Sequence, residues 1–392
     1  MIKVCIVGGG VIGLALALEL QQPGVGVTVI ERGPAQGAHS AGWAAAGMLA
    51  PRAEGLAGPL LELCLRSRQL WREWAPGLEQ QSGQAVDYRP SGILMPVVES
   101  NADVLRERLA VGEGEWWDRA RVAAKVPGIA AGVEGGLWFG ADGSVDNRKV
   151  LSALQKACRY REIEIRYGVR VLGPAVRGGR LDGVVTALGE FGADIVVLAQ
   201  GSWSGEWLAL PVRPLKGQML ALRASPDIGP VLFGPRVYLV PRMDGRIVVG
   251  ATVEQVGFTP GNTCTGLAFL LNGAMEILPR LGECCVDETW WGFRPTTPDV
   301  APILGAGAWP NLFLATGHHR NGILLAPITA RLLARLILAG DADPLLRFFS
   351  WERFQKLPQD KPIPPQPGSA ATAIPARPGP PPLHPADLAE DR

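Results

Sequence analysis

Apolar runs and turn-forming residues alternate along the chain in a strand–helix–strand order. Lys3 to Gly10, KVCIVGGG, is a short apolar run that ends in glycines and predicts a buried strand. Val11 to Gln21 predicts a helix, and Val25 to Arg32, VGVTVIER, predicts a second strand that closes on an acidic residue. Leu60 to Trp74 has apolar positions three and four apart, which is helical spacing. Val86 to Val98 reads as strands around the turn Pro90-Ser91-Gly92, and Asn101 to Gly112 reads as a helix. Gly140 to Asn147 is a turn-rich crossing, followed by a helix from Arg148 to Tyr160 with Asp146 or Asn147 as its cap.

Further along, Glu164 to Val171 and Asp182 to Ala187 are expected strands. Ala193 to Ala199, ADIVVLA, is a continuous apolar run of the kind buried on both faces of a parallel sheet, and suits a return into the first sheet. Val212 to Val253 alternates, which predicts an antiparallel sheet with turns at Gly217 and at Asp244-Gly245. Gly266 to Leu278 is a helix, Glu288 to Pro295 and Leu312 to Ala315 are strands, and a glycine turn after His318 leads into a long helix.

The first unit carries the first chemical signal. Gly8, Gly10 and Gly13 stand in the spacing G-x-G-x-x-G, between a strand and a helix. Gly8 allows the tight turn, Gly10 lets backbone approach a pyrophosphate, and Gly13 lets the helix pack against the sheet. Free N–H groups at the helix start favour phosphate, and Glu31 closes the second strand where a carboxylate accepts ribose hydroxyls. Together these predict adenine-dinucleotide binding. The small-residue stretch WAAAGMLAP, Trp43 to Pro51, reads either as backbone packed against a flat ligand or as the start of a small-residue helix.

Composition narrows the class. A chain of 392 residues with 47% hydrophobic and 19% charged residues suits two globular domains with a sizeable core. A net charge of +1 gives no reason to expect nucleic acid or an anionic membrane surface as a partner. The 12 tryptophans are scattered, as in a packed interior. Six cysteines without a C-x-x-C pair, behind an N-terminus that reads as a strand, predict reduced thiols in a cytoplasmic protein, with no membrane span. The segment 358–392 holds 11 prolines in 35 residues and is expected to be a disordered tail.

Familiar hydrolytic and metal motifs are missing from the sequence, and of the four histidines the adjacent pair His318-His319 cannot easily turn both rings to one metal, so none is expected. A nicotinamide enzyme would need an acid or base beside its hydride donor. A flavin enzyme that oxidises an amine need not, because neutral amine nitrogen can push hydride directly to the ring.

The stretches VGGGVIGLALALEL, WAAAGMLAP, VYLVPR with IVVGATVE, WWGFRPTTPDVAPILG and GHHRNGILLAPITARLLARLI together resemble the D-amino-acid-oxidase-like FAD amine oxidases, among them most closely the glycine oxidases of thiamine biosynthesis. The likeness runs from Met1 to about Leu338. It implies an α/β fold: a Rossmann-type FAD-binding domain, of glutathione-reductase-like architecture, with an inserted antiparallel-sheet substrate domain. The expected FAD-binding segments are 1–85, 142–210 and 288–350, and the substrate domain 86–141 and 211–287.

By resemblance, Val11, Ile12, Glu31, Arg32, Ala41, Gly42, Ala46, Gly47 and Met48 contact FAD. Val171 or its neighbour Val169 meets the adenine side, and the turn His318, His319, Arg320, Asn321, Gly322, Ile323, Leu324 wraps the flavin ring. Arg294 matches an arginine that pairs with a substrate carboxylate, Arg320 a second substrate-contacting arginine, and Tyr238 a tyrosine near the substrate. Without the resemblance, Arg294 reads equally as a structural ion pair and Tyr238 as an inward-facing strand aromatic.

This chain departs from its relatives at three places. His319 stands where they often carry an aromatic residue, Ser40 alone replaces a hydroxyl pair, and Gly292 sits where sarcosine oxidases have a flavin-bonded cysteine. The last predicts noncovalent FAD. The implied reaction is oxidation of glycine, or of sarcosine or D-alanine, by oxygen to an imine, then glyoxylate, ammonia and peroxide. The implied partner is thiazole synthase and the implied assembly a homo-oligomer, often a tetramer. Two rivals remain at the level of sequence: an FAD-dependent D-amino-acid dehydrogenase that passes electrons to a quinone, and a non-enzymatic FAD-bound subunit.

Overall fold

The computed structural model describes residues 1–354 apart from 36, 38, 39, 207 and 224–228. The proline-rich segment expected to be a disordered tail lies outside the described residues.

The first unit folds as β1 (Ile2–Val7), α1 (Val11–Leu20) and β2 (Val25–Glu31). β1 is central in a six-stranded sheet, parallel to β2 on one side and to Ile195–Leu198 on the other. The sheet continues through Leu312–Thr316 to an antiparallel edge at Ile303–Ala306, and beyond β2 to Glu164–Tyr167. Successive side chains of β1 enter different cores. Val4 and Ile6 meet helices α1, Gly58–Ser82, Asn147–Tyr160 and Gly322–Ala339, while Cys5 and Val7 meet a three-stranded antiparallel sheet spanning Val171 to Gly192. Burial on both faces is why Val4 to Val7 are all apolar rather than alternating.

The second body is an eight-stranded sheet whose long strands are Arg213–Arg223 and Cys285–Thr296. One face carries Met219, Tyr238, Val240 and Trp290 towards Ala44 and Ala46 of the nucleotide unit. Its other face packs Leu220, Leu239 and Val249 on the helix Cys264–Ile277. The strand Cys285–Thr296 pairs with Arg213–Arg223 along its whole length, so the sheet claims residues expected in the third FAD segment.

Other expectations also shift. The strand Arg213–Arg223 runs straight through Gly217, where a turn was expected, because Cys285–Thr296 pairs across that position, with Gly292 opposite Gly217. The helix expected over Leu60 to Trp74 extends over Gly58–Ser82 and passes through Pro76, since Trp71, Ala75, Leu78 and Ser82 keep one buried stripe beyond it. The strand expected over Glu164 to Val171 ends at Tyr167, before Gly168 with φ 72°, and Val171 begins a strand of the three-stranded sheet. Asp146 is the cap chosen for Asn147–Tyr160, its carboxylate accepting from the N–H groups of Arg148 and Lys149.

The helix Gly322–Ala339 is long and apolar enough to cross a membrane by length and composition, yet 61% of it is buried inside the protein. It is packed against α1 and Gly58–Ser82 as a core element.

Candidate active site

Two adjoining cavities lie where the sheets meet. The larger, of ≈ 380 Å³, opens at the C-terminal ends of β1, β2 and Ile195–Leu198, where a doubly wound sheet binds its ligand. The smaller, of ≈ 70 Å³, lies between the loop Ala44–Met48 and the eight-stranded sheet. Ala41, Ala45, His319, Arg320 and Ile323 line both, so the two are continuous.

The glycines at the start of α1 divide their duties as the spacing predicts. Gly8 has φ 115°, and a Cβ there would stand 2.3 Å from the Ala199 carbonyl oxygen. A Cβ on Gly13 would stand 1.9 Å from the Gly8 carbonyl oxygen, so this residue packs the helix and does not line the cavity. A Cβ on Gly10 meets nothing within 4 Å and would project into open space. Backbone that faces open space at a helix N-terminus suits a pyrophosphate. Glu31 accepts from the backbone N–H groups of Gly9 and Gly33, each at 2.6 Å. A carboxylate offers about four acceptor sites, which leaves roughly two for ribose hydroxyls. These residues therefore fit an adenine dinucleotide.

Val11, Ile12, Arg32, Ala41, Gly42 and Val171 line the larger cavity, with His318, His319, Arg320, Gly322 and Ile323 at its other end. Ala46, Gly47 and Met48 line the smaller cavity instead. Two residues of the predicted turn line neither. Asn321 is buried at the start of the last helix, and Leu324 points into the core while its carbonyl accepts from Ser67 and Trp71. Sequence reasoning overlooked Gln200, Gly201, Ser202 and Trp203 as lining residues. Their signal was available, since they follow the C-terminal end of a predicted parallel strand. Arg32 stacks over Trp203 with 3.8 Å between guanidinium carbon and ring centroid, and pairs with Glu206 at 3.5 Å.

In the smaller cavity the structure brings together Arg294, Tyr238 and Arg320. Arg294 donates to the carbonyl of Thr252 at 3.2 Å and to that of Lys216 at 3.4 Å. Burial, the largest influence, pulls its pKa below the ordinary arginine range, and the neighbouring Tyr238 opposes that fall. The guanidinium lies over Gly217, whose absent side chain makes the space: a Cβ there would be 2.5 Å from Nη2. Gly250, opposite Tyr238 in the sheet, does the same for the tyrosine ring, again at 2.5 Å. Burial raises the Tyr238 pKa above 10, so the hydroxyl keeps its proton. Arg320 pairs with Glu54, Nε to Oε1, at 3.5 Å.

His319 has φ 48°, and its backbone N–H donates to the Pro295 carbonyl. This left-handed turn points the imidazole at both cavities, with Nδ1 2.9 Å from the Thr296 hydroxyl. Burial, then the charges of Arg320 and Arg294, hold its pKa well below 6.5. His318 faces away, with Nε2 3.1 Å from the Thr329 hydroxyl, and burial lowers its pKa to about 3. Both imidazoles are neutral near pH 7. Among the described residues no group of three or more His, Cys, Asp or Glu side chains is placed to hold a metal ion.

The cavity volume limits what can enter. On a scale of ~10–15 Å³ per water, 70 Å³ admits roughly five to seven atoms of that size. That is the size of the smallest amino acids.

Comparison with known proteins agrees with this geometry. Residues 3–336 match the FAD dependent oxidoreductase family. The bifunctional protein ThiO/ThiG of Synechocystis sp. is 49% identical over 360 residues, covering 90% of this chain and 54% of that protein. The chain thus spans about half the length of the curated relatives it first matches. A glycine oxidase of Pseudomonas aeruginosa is 31% identical, covering 86% of this chain and 94% of its own. The crystal structure of glycine oxidase from Geobacillus kaustophilus superimposes with a TM-score of 0.83 at 30% identity, over 90% of this chain and 99% of that one.

Proposed function

The chain belongs to the FAD-dependent oxidoreductase family, and from that premise we propose that it oxidises glycine with oxygen and water to glyoxylate, ammonia and hydrogen peroxide. Sarcosine and D-alanine are further small substrates on this reading, and the product feeds thiazole formation in thiamine biosynthesis. The observation that carries it is the placement of Arg294 and Tyr238 in a cavity of ≈ 70 Å³ that is continuous with the dinucleotide cleft.

Bound FAD supplies a two-electron acceptor for the substrate α-carbon and returns the pair to oxygen. The protein's own residues orient and desolvate. Arg294 offers a planar fork to the substrate carboxylate, which supports two parallel charge-assisted hydrogen bonds. The protonated Tyr238 hydroxyl stands beside that fork as a further donor. Met219, Ala44 and Ala46 give the cavity apolar walls, which leave little room for water or for a longer side chain. Fixing the α-carbon against the flavin face supplies much of the acceleration through orientation.

Noncovalent attachment of FAD is supported by Gly292, where a Cβ would stand 2.4 Å from that of Ala44. A cysteine has no room there. The names of the bifunctional relatives support a thiazole synthase as the partner that takes the product. The reading extends, on resemblance, to a cytoplasmic homotetramer.

The test is a peroxide assay on purified protein with glycine, sarcosine and D-alanine, with the visible spectrum recorded alongside. Peroxide formed with glycine, over a flavin that separates from denatured protein, is the expected result. A flavin bleached by glycine under nitrogen with no peroxide in air would replace the oxidase reading by a dehydrogenase.

A further inference from the structure

Glu54 is the one carboxylate among the side chains that line the smaller cavity, and no family role brought it to notice. Its side chain is only 8% exposed. The turn that carries it is fixed from two sides. The buried Asp142 accepts from the backbone N–H groups of Arg52 and Ala53, and Arg108 donates to the carbonyls of Arg52 and Ala53. Asp142 is itself held by Arg68 at 2.5 Å. Glu54 is thus a positioned group within a built wall.

The charged side chains lining this cavity are Arg294, Arg320 and Glu54. Two cations and one anion leave a net charge of one positive. One carboxylate on a ligand balances that sum. A second anionic group would have to sit beside Glu54, in a cavity too small for water to screen the two. A like charge at that distance costs enough to change affinity roughly tenfold or more.

We propose that Glu54 sets the charge specificity of the cavity: by pairing with Arg320 it reserves Arg294 for a single carboxylate, admits monoanionic amino acids and rejects ligands with two anionic groups. The inference rests on the reading of Arg294 as a carboxylate clamp, and it names the substrate class that clamp serves. Dicarboxylic amines are excluded by charge before they are excluded by size.

The test separates charge from shape. Oxamate and oxalate have nearly the same shape, but at neutral pH the first carries one negative charge and the second two. Neither offers an oxidisable amine. Each is titrated into the FAD-loaded enzyme at fixed ionic strength, and binding is read from the perturbed visible flavin spectrum. The wild-type protein is expected to bind oxamate at least about tenfold more tightly than oxalate. In Glu54→Gln the preference should shrink towards unity or reverse, while Glu54→Asp should keep it.

Equal wild-type affinities for the two probes would overturn the inference even if no variant holds flavin. A wild-type preference that survives in Glu54→Gln would overturn it too, because the discrimination would then come from elsewhere. If neither probe perturbs the flavin or competes with glycine, the clamp reading itself falls and takes the inference with it. Oxamate binding without discrimination leaves the clamp standing and removes only the role of Glu54.

Discussion

Arg294 is held by two backbone carbonyls and the Tyr238 hydroxyl, all neutral, so on the proposed reading its anionic partner is the ligand. Arg294→Ala should therefore raise KM for glycine about a hundredfold or more, on the order of 3 kcal/mol, in a steady-state peroxide assay. Arg294→Lys keeps the charge but loses the fork and should fall between the two. A change in KM below about threefold for Arg294→Ala would remove the clamp from the account.

His318 makes a second prediction at this scale. Its pKa is about 3 in the folded protein and near 6.5 when unfolded, so between those values the unfolded chain binds the extra proton. Stability is then complete above pH 6.5 and declines as pH falls towards about 3, by about 1.4 kcal/mol per unit at most for this residue. His319, pushed down in the same direction, adds to the slope. Melting temperature followed from pH 7.5 to 5 should drop less steeply in His318→Asn than in the wild type. Arg294 and Tyr238 entered the sequence reading through resemblance, Arg320 also through its place in a glycine turn, and Glu54 did not enter at all. A carboxylate in an irregular turn has no periodicity to mark it, and what makes Glu54 notable is a partner 266 positions away, Arg320.

Among the elements, those whose residues repeat at the strand or helix period were legible: β1, α1, β2, Ile195–Leu198 and Gly322–Ala339 all fall close to where their apolar patterns put them. Gly217 was not. Read locally, a glycine between two alternating runs is a turn, and nothing local reveals that the strand continues and that its glycine leaves room for a guanidinium. That arrangement predicts an unusual mutant. In Gly217→Ala the added methyl meets the far end of a flexible side chain, not backbone, so the Arg294 guanidinium moves and the strand stays. The melting temperature should change by only a few degrees while KM for glycine rises about tenfold or more and flavin content stays normal. Loss of fold or of flavin in Gly217→Ala would show that the glycine serves the sheet rather than the clamp.

At the scale of the whole molecule, the dinucleotide cleft is assembled from segments far apart in sequence: Gly8 to Arg32, Val169 to Val171, Gln200 to Trp203 and Thr316 to Ile323. The sequence announced the first and, through resemblance, Val169 to Val171 and the last. Gln200 to Trp203 went unread, although it follows the end of a predicted parallel strand, because its place beside the first strand depends on strand order. Two cations help join the sheets, Arg242 buried and Arg148 half-buried. Arg242, at the end of a strand of the eight-stranded sheet, donates to the carbonyls of Val145 at 2.8 Å and Ala46 at 3.0 Å and to the Asn147 side chain at 2.7 Å. Arg148 forms a bidentate pair with Glu288 and lies between the rings of Trp43 and Trp290. Removing the Arg242 head strands three acceptors, so Arg242→Met should cost about 3 kcal/mol. A ligand that binds only the assembled cleft works against that loss. At a hundred times its Kd it adds roughly 2.7 kcal/mol to the folded state. FAD in excess should therefore raise the melting temperature of the wild-type apoprotein, and should bring Arg242→Met most of the way back to the level of the apo wild type. Adenosine diphosphate, which reaches only the glycine end of the cleft, should raise it less. An apoprotein whose melting temperature ignores both nucleotides would mean that neither binds the folded protein, and the reading of the cleft as an adenine-dinucleotide site would fall.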